Sequence, residues 1–247
     1  MMFFTLISRC GGMVDAIDSK SILGCQGAGS SPVIGKLVLL DFDGLLVNTE
    51  KLHHLAYQEA FLKWNCPLDI NFYSYAALAH HASGTGLKDY LYSIYPSLIG
   101  KWDEIRNDKL KIYSRLIETD VELMPYVAEF LFYLEKLKIP SCVVTNSLRK
   151  DIEMIKKHLN ILEKIPYWIT RENYQNPKPA PDGYLTALKL FPKILPSETT
   201  GFEDTLKGIE SLKAAKINPI LICDQGHPQL KDAIGIRHFN SFKSLIS

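Results

Sequence analysis

Residues 36–43 read KLVLLDFD, and this short stretch decides the fold class. Four apolar residues follow one another and lead into two acids, Asp41 and Asp43. A continuous apolar run of this length is typical of a strand that is buried on both faces of a parallel sheet. Because alternate residues of a strand point to the same face, the two carboxylates would lie on one side. The stretch therefore predicts a buried strand with paired acids at its carboxyl end.

Strand-like and helix-like segments alternate in the second half of the chain. Apolar residues at helical spacing separate the runs IPSCVVTN, IPYWIT, TTGFED and NPILICD, each of which reads as a strand. The tail 236–247 predicts a small edge strand and a turn of helix. Such alternation predicts an α/β fold, with a Rossmann-like core whose central parallel sheet is flanked by helices.

The composition excludes several classes of protein. The chain has 247 residues, of which 47% are hydrophobic and 22% charged, as in globular proteins. Its net charge of +1 argues against a nucleic-acid partner, and no run approaches the ~18 apolar residues of a membrane span. Five scattered cysteines without a CxxC pair predict neither a zinc site nor a disulfide framework. We expect small buried thiols and a reducing, cytoplasmic setting.

Polar residues follow several of the predicted strands. Ligands of parallel sheets bind at the carboxyl ends of the strands, so these residues are expected to meet there. One acid alone would suggest a solvated side chain or a helix N-cap, whereas several polar strand ends indicate a site. The candidates are Asp41 with Asp43, Thr145 with Asn146, Lys178 in its loop, and Glu203 with Asp204.

The residue types at these strand ends suit a cation and a phosphoryl group. Carboxylates that lie close together repel unless a cation or a proton sits between them. An oxygen-rich site suits Mg²⁺. Lys178 and Thr145 would supply the positive charge and the hydroxyl donor that a phosphoryl group requires.

Four segments carry a family resemblance in addition. The order and spacing of these segments resemble the four motifs of the haloacid dehalogenase (HAD) superfamily: DFDGLLVNTE at 41–50, VVTNS at 143–147, NPKPAPDGY at 176–184, and GFEDTLKGIESLKAAK at 201–216. The resemblance covers residues 36 to about 224. It departs from the usual pattern at Asn48, where many relatives have Asp, and at Tyr126, where Gly is usual.

The resemblance implies a role for each polar strand end. Asp41 would attack phosphorus and carry the phosphoryl group as an aspartyl-phosphate. Asp43 would protonate the leaving alcohol and then take a proton from the attacking water. Thr145 and the backbone N–H of Asn146 would hold phosphoryl oxygens, and Lys178 would offset negative charge.

A magnesium site is also implied. The ion would bridge the nucleophile and a phosphoryl oxygen and stabilise developing charge. The resemblance assigns as its ligands the carboxylates of Asp41, Asp204 and Glu203 and the backbone carbonyl of Asp43.

Residues 50–122 are mostly helical in pattern and resemble the small α-helical cap domain that this family inserts after the first strand. The catalytic core would then comprise residues 36–49 and 123–247. Two residues of the cap are candidates for binding substrate. His53 lies where sugar-phosphate mutases and many phosphatases carry His, and Lys88 could pair with a distal anionic group or be a solvated surface lysine.

The function predicted from the resemblance is hydrolysis of a small-molecule phosphate ester, such as a sugar phosphate or a nucleotide. The alternative is a β-phosphoglucomutase-like phosphotransferase, which is disfavoured because the stretch HHASGTGLKDYL at 80–91 lacks an Arg. A non-catalytic phosphate-binding protein is disfavoured by the complete motif set. The sequence leaves the oligomeric state open.

Residues 1–35 differ from the rest of the chain. They are rich in Gly and Ser and follow neither the helical nor the strand period. The phrases GGMVDAIDSK and GCQGAGSSPV resemble a transfer-RNA gene translated in frame. We expect either a disordered tail or an extension that does not belong to the native protein, whose start would then lie near Lys36.

Overall fold

The computed structural model describes residues 34–79 and 85–246. The predicted N-terminal extension lies outside the described residues, apart from Ile34 and Gly35. Residues 80–84, which begin the predicted specificity stretch of the cap, also lie outside them.

A six-stranded parallel sheet forms the centre of the described chain, in the order β3-β2-β1-β4-β5-β6. Its strands are β1 (Leu37–Leu40), β2 (Ser141–Val144), β3 (Tyr167–Ile169), β4 (Thr199–Glu203), β5 (Asn218–Ile222) and β6 (Arg237–Phe239). The predicted α/β class and parallel sheet are confirmed, including the short edge strand in the tail.

Strand β1 lies in the middle of the sheet and is covered on both faces. It pairs with β2 on one side and with β4 on the other, and all four of its residues are fully buried. Val38 and Leu40 belong to one hydrophobic cluster, whereas Leu37 and Leu39 belong to the other. The continuous apolar run in the sequence therefore reflects burial from two sides.

Helices pack against the sheet, and four further helices lie between β1 and β2 in the chain. Helices α5, α6 and α9 contribute to the cluster that contains Val38, and α7 and α8 contribute to the opposite cluster. None of the helices within the described ranges combines the length and apolar character that crossing a membrane requires. The helices are α1 (Thr49–Lys63), α2 (Phe72–Ala79), α3 (Gly86–Ile94), α4 (Trp102–Asp120), α5 (Val127–Lys136), α6 (Arg149–Lys156), α7 (Asp182–Lys189), α8 (Leu206–Ala214) and α9 (Lys243–Ile246).

Helices α1–α4, which we call the helical segment, have a hydrophobic cluster of their own. Each of the four helices contributes at least one buried residue to this cluster. These residues include Phe61, Tyr75, Leu91 and Ile105. The helical pattern predicted for 50–122 is present, while the division of the chain into core and cap domains stays a prediction.

The two connections between the sheet and the helical segment run side by side. Val47 forms an isolated bridge with Leu123. The Asn48 side chain accepts a hydrogen bond from the backbone N–H of Glu122 at 3.0 Å and donates one to the carbonyl of Asp120 at 3.4 Å. Asn48, where many relatives have Asp, therefore links the segment that leads from β1 into α1 to the segment that leads from α4 back to the sheet.

Candidate active site

Asp41 directly follows β1 and meets Lys178 from the loop before α7. The ammonium of Lys178 donates to Asp41 Oδ1, lies 2.7 Å from Glu203 Oε1 and donates to the carbonyl of Val144 at 2.7 Å. Burial and then the charge of Glu203 raise the pKa of Asp41, whereas Lys178 lowers it. Three neighbouring strand ends, those of β1, β2 and β4, therefore converge on one ammonium group.

Three carboxylates gather beside this lysine. Asp41, Glu203 and Asp204 each offer an oxygen, and these oxygens lie within 4.8 Å of one another. Burial and then the charge of Asp41 raise the pKa of Asp204 well above its usual value. Lys178 supplies one positive charge for three acids, so a further cation would relieve their repulsion.

The Asp204 carboxylate is the part of this cluster that is best suited to a cation. Within residues 34–79 and 85–246, no hydrogen bond or ion pair reaches it. It packs against the backbone of Gly44, where a Cβ would lie 2.2 Å from Asp204 Oδ2. Gly44 also has a φ of +79°, which disfavours other residues. A hard divalent cation with oxygen ligands fits this donor set.

Glu203 is held by groups from α7 and the preceding loop. Its Oε1 accepts a hydrogen bond from the Tyr184 hydroxyl in addition to the contact with Lys178. A Cβ at Gly208 would lie 1.9 Å from the carboxyl carbon of Glu203, so only glycine leaves room for this side chain. Sequence reasoning did not identify Tyr184 as a site residue, although it ends the NPKPAPDGY segment.

Asp43 is surrounded by hydroxyl groups. Its Oδ1 accepts a hydrogen bond from Thr49 at 2.8 Å, and its Oδ2 accepts bonds from Ser147 at 2.5 Å and Thr145 at 3.1 Å. Burial raises the pKa of Asp43, and the hydroxyls of Ser147 and Thr49 lower it in part. Thr49 and Ser147 were not predicted, though both lie within the quoted segments DFDGLLVNTE and VVTNS.

Asn146 lies between Thr145 and Ser147 in the loop after β2. Its side-chain oxygen accepts hydrogen bonds from the Tyr174 hydroxyl at 2.8 Å and from the backbone N–H of Lys178 at 3.2 Å. These bonds connect the loop after β2 to the loop that carries the lysine.

The two predicted residues of the helical segment have different surroundings. His53 stacks on Tyr113, with ring centroids 4.0 Å apart, and its Nδ1 lies 2.5 Å from the ammonium of Lys109. The charge of Asp43 contributes, after burial, to raising the pKa of Tyr113, so this stack lies within electrostatic reach of the core acids. Lys88 lies half-buried on α3, and within the described chain it forms no hydrogen bond or ion pair with the other site residues.

Lys109 is a candidate that sequence reasoning missed. Only 6% of the residue is exposed, and its ammonium lies over the rings of Tyr57 and Tyr113 at 5.2 and 4.7 Å from their centroids. Burial lowers the pKa of Lys109 to about 8. A signal was present, because Lys109 falls at helical spacing between the apolar residues Ile105 and Tyr113 of α4.

Comparisons with known proteins show the family of the chain. The haloacid dehalogenase-like hydrolase profile matches residues 38–222. The phosphorylated carbohydrates phosphatase of Thermotoga maritima is 23% identical over 183 residues, which cover 74% of this chain and 82% of that protein. Beta-phosphoglucomutase of Bacillus subtilis is 24% identical over 211 residues, which cover 82% of this chain and 89% of that protein.

A solved structure shares the fold. The HAD family hydrolase from Deinococcus radiodurans, solved with bound phosphate and sodium, has a TM-score of 0.70 at 21% identity and covers 86% of this chain and 94% of its own. The matched profile spans most of the chain and includes all four motif segments. The chain therefore belongs to the haloacid dehalogenase-like hydrolase family.

Proposed function

We propose that this protein is a Mg²⁺-dependent phosphomonoester hydrolase that acts on a small phosphorylated metabolite through an aspartyl-phosphate at Asp41. The observation that carries the proposal is the position of the Asp41 carboxylate, which lies against the ammonium of Lys178 and beside Glu203 and Asp204. Burial and the charge of Glu203 raise the pKa of Asp41, so the charges of Lys178 and of a bound cation would be needed to keep this nucleophile ionised.

In the first step an Asp41 oxygen forms a bond to phosphorus while the bond from phosphorus to the ester oxygen breaks. The leaving alkoxide takes a proton from Asp43. Burial raises the pKa of Asp43, which favours the protonated acid that this step needs. Lys178 offsets negative charge on the nucleophile and on the phosphoryl oxygens.

In the second step water attacks the aspartyl-phosphate and releases inorganic phosphate. Asp43, now ionised, accepts the proton of the attacking water, and Asp41 leaves as a carboxylate. The hydroxyls of Thr145 and Ser147 bond to Asp43 in the described structure, and each could donate instead to a phosphoryl oxygen.

The cation site would be formed by Asp41, Glu203 and Asp204, whose oxygens cluster beside the nucleophile. When bound, Mg²⁺ would neutralise the carboxylates and stabilise the charge that develops on the phosphoryl group. Of these three described carboxylates, those of Asp41 and Glu203 form ion pairs with Lys178 and that of Asp204 does not, so Asp204 would gain most from such a partner.

The substrate is proposed to be a phosphorylated sugar or a similar polar metabolite. Lys109 places a cation in the helical segment. Burial lowers its pKa, and the charges of Glu50 and, to a smaller extent, of Asp151 at the start of α6 raise it, so the ammonium lies within electrostatic reach of the core. The names of the phosphorylated carbohydrates phosphatase and of beta-phosphoglucomutase, both similar to this chain, are consistent with a sugar phosphate. Lys109 and the adjacent His53 would contact the hydroxyl or anionic groups of the leaving group.

Phosphate release with Mg²⁺ from a panel of phosphomonoesters tests the proposal. We expect turnover of one or more sugar phosphates, and a loss of at least about 10⁴-fold in Asp41→Asn, because the amide is a poor nucleophile. Asp103→Asn, which changes an exposed acid on α4, is the matched control and should keep wild-type activity. Equal rates in wild type and Asp41→Asn would refute the proposal.

A phosphotransferase is the second candidate, because the similarity to beta-phosphoglucomutase extends over 82% of this chain. Incubation with β-glucose 1-phosphate distinguishes the two reactions. Free phosphate as the product supports the hydrolase, and glucose 6-phosphate supports the mutase.

A further inference from the structure

The loop that carries Asp204 is short and has few backbone bonds of its own. Strand β4 ends at Glu203 and helix α8 begins at Leu206, which leaves two residues between them. The first N–H groups of a helix lack partners within the helix. One is satisfied locally, since the Thr205 hydroxyl accepts from the N–H of Gly208 at 3.2 Å. The backbone of Asp204 and the N–H of Leu206 need partners from elsewhere.

Both partners come from a single side chain, Gln229, which lies in the turn 228–231 after β5. Its Nε2 donates to the carbonyl of Asp204 at 2.5 Å, and its Oε1 accepts from the N–H of Leu206 at 3.1 Å. The amide therefore clamps the chain on both sides of Thr205. Its geometry requires one donor and one acceptor on the same planar group, which Gln supplies and neither Glu nor Leu does.

Gln229 is itself held in place. Its backbone N–H donates to the ring Nδ1 of His227 at 3.3 Å. The side chain is half-buried in the wall of a cavity of about 990 Å³, which Asp204 and Gln58 also line. A half-buried amide with both ends bonded is costly to replace, because each lost bond leaves a backbone group unsatisfied.

We propose that Gln229 is a positioning residue for the cation site, which it serves by fixing the backbone of Asp204 so that the carboxylate stays beside Asp41 and Glu203. The inference rests on the proposed function only in requiring that these acids hold Mg²⁺. Gln229 touches neither the reacting groups nor the cluster of carboxylate oxygens, so its effect reaches the site through the Asp204 backbone. Groups that orient a metal ligand without touching the metal typically change metal affinity by about 10–100-fold when they are mutated.

The test compares Gln229→Leu with Gln58→Leu, which removes a half-buried glutamine of α1 that lines the same cavity. Isothermal titration calorimetry measures Mg²⁺ binding directly, and steady-state kinetics measure rate against Mg²⁺ concentration. We expect Gln229→Leu to weaken Mg²⁺ binding about tenfold or more. Its kcat should recover to within about threefold of wild type at saturating Mg²⁺, and Gln58→Leu should bind Mg²⁺ as the wild type does.

Gln229→Glu is the second variant, in case Gln229→Leu fails to fold. It keeps the acceptor for Leu206 but places a carboxylate against the carbonyl of Asp204, so Mg²⁺ binding should again weaken. Wild-type Mg²⁺ affinity in either folded variant overturns the inference and leaves the proposed function standing. Absence of Mg²⁺ binding in the wild type would instead overturn the metal part of the proposed function.

Discussion

Lys178 beside the sheet and Lys109 in the helical segment are buried to the same extent, with 6% exposed in each, yet their pKa values move in opposite directions. Burial alone lowers the pKa of both. At Lys178 the charges of Asp41 and Glu203 outweigh burial and raise it, whereas Lys109 ends at about 8. The contacts of Lys109 are a histidine nitrogen and two aromatic faces, and within the described chain no carboxylate forms an ion pair with it.

The difference follows from how each region brings charges together. Neighbouring strands of the sheet end at the same edge, so the acids of β1 and β4 meet Lys178 before any ligand binds. The helical segment places a cation among aromatic rings, where the charge of Glu50 raises the pKa of Lys109 by less than burial lowers it. We infer that the sheet holds a preformed catalytic site, while the helical segment offers a cation whose partner would be the substrate.

The largest expected effect is at Lys178, which pairs with Asp41 and Glu203. Lys178→Met leaves Asp41 and Glu203 as buried acids without their cation, so we expect about 10³-fold slower turnover. The free energy of unfolding should fall by about 3 kcal/mol, as when one partner of a buried ion pair is removed. Phosphate release and urea unfolding measure the two effects. Lys36→Met, at a largely exposed lysine, is the control and should change neither turnover nor stability. Wild-type turnover in Lys178→Met would show that the buried acids do not depend on the charge of Lys178.

A smaller effect is expected from two glycines with similar backbones. Gly44 and Gly100 have φ values of +79° and +84°, but only at Gly44 would a Cβ collide with Asp204. Substitution by Ala should cost each about 1 kcal/mol of stability because of the left-handed backbone. Only Gly44→Ala should also lose about 100-fold in kcat/KM and bind Mg²⁺ more weakly, as measured by kinetics and calorimetry. Equal activity of the two variants would show that the position of the Asp204 carboxylate is unimportant.

At Lys109, which has no ion pair within the described residues, the expected effect is on substrate binding rather than on turnover. Lys109→Met should raise KM about tenfold, with kcat within about threefold of wild type, because it removes the charge that is proposed to contact the leaving group. Its stability at pH 7 should equal or exceed that of the wild type, since a buried charge without an ion pair is unfavourable. Lys111→Met, on the exposed side of α4, is the control. A marked loss of stability in Lys109→Met would mean that the charge is compensated after all.

The smallest expected effect is a dependence of KM on pH. The pKa of Lys109 is about 8, so its charged form is present below that pH and is lost as the pH rises. Attraction for an anionic substrate should therefore weaken above pH 8, and KM should increase severalfold between pH 7 and pH 9. Michaelis profiles of wild type and Lys109→Met over this range test the assignment. The same rise in both would assign the titration to another group.

The sheet and its site could be predicted because local sequence determines them. The apolar run before Asp41 predicts a central strand, and the topology of parallel strands then brings Thr145, Lys178 and Glu203 to the same edge. The roles of these residues came from the resemblance to a family, and the geometry alone shows only that they meet.

The partners that support these residues could not be predicted in the same way. Gln229 reaches Asp204 across 25 positions, and Lys109 reaches His53 across 56, so neither pairing has a local pattern. Tertiary packing determines which side chain fills each space. Lys88, from the specificity stretch, stays a prediction, whereas Lys109, a buried cation of the helical segment, lies on a different helix.

Locating the phosphoryl group on the enzyme during turnover tests whether Asp41 carries it. Enzyme mixed with a ³²P-labelled substrate identified in the panel, quenched in acid within one turnover and digested should yield a labelled peptide. We expect an acyl phosphate on the peptide that contains Asp41, and no label on that peptide in Asp41→Asn. A label on another residue, or turnover without any labelled peptide, would contradict it.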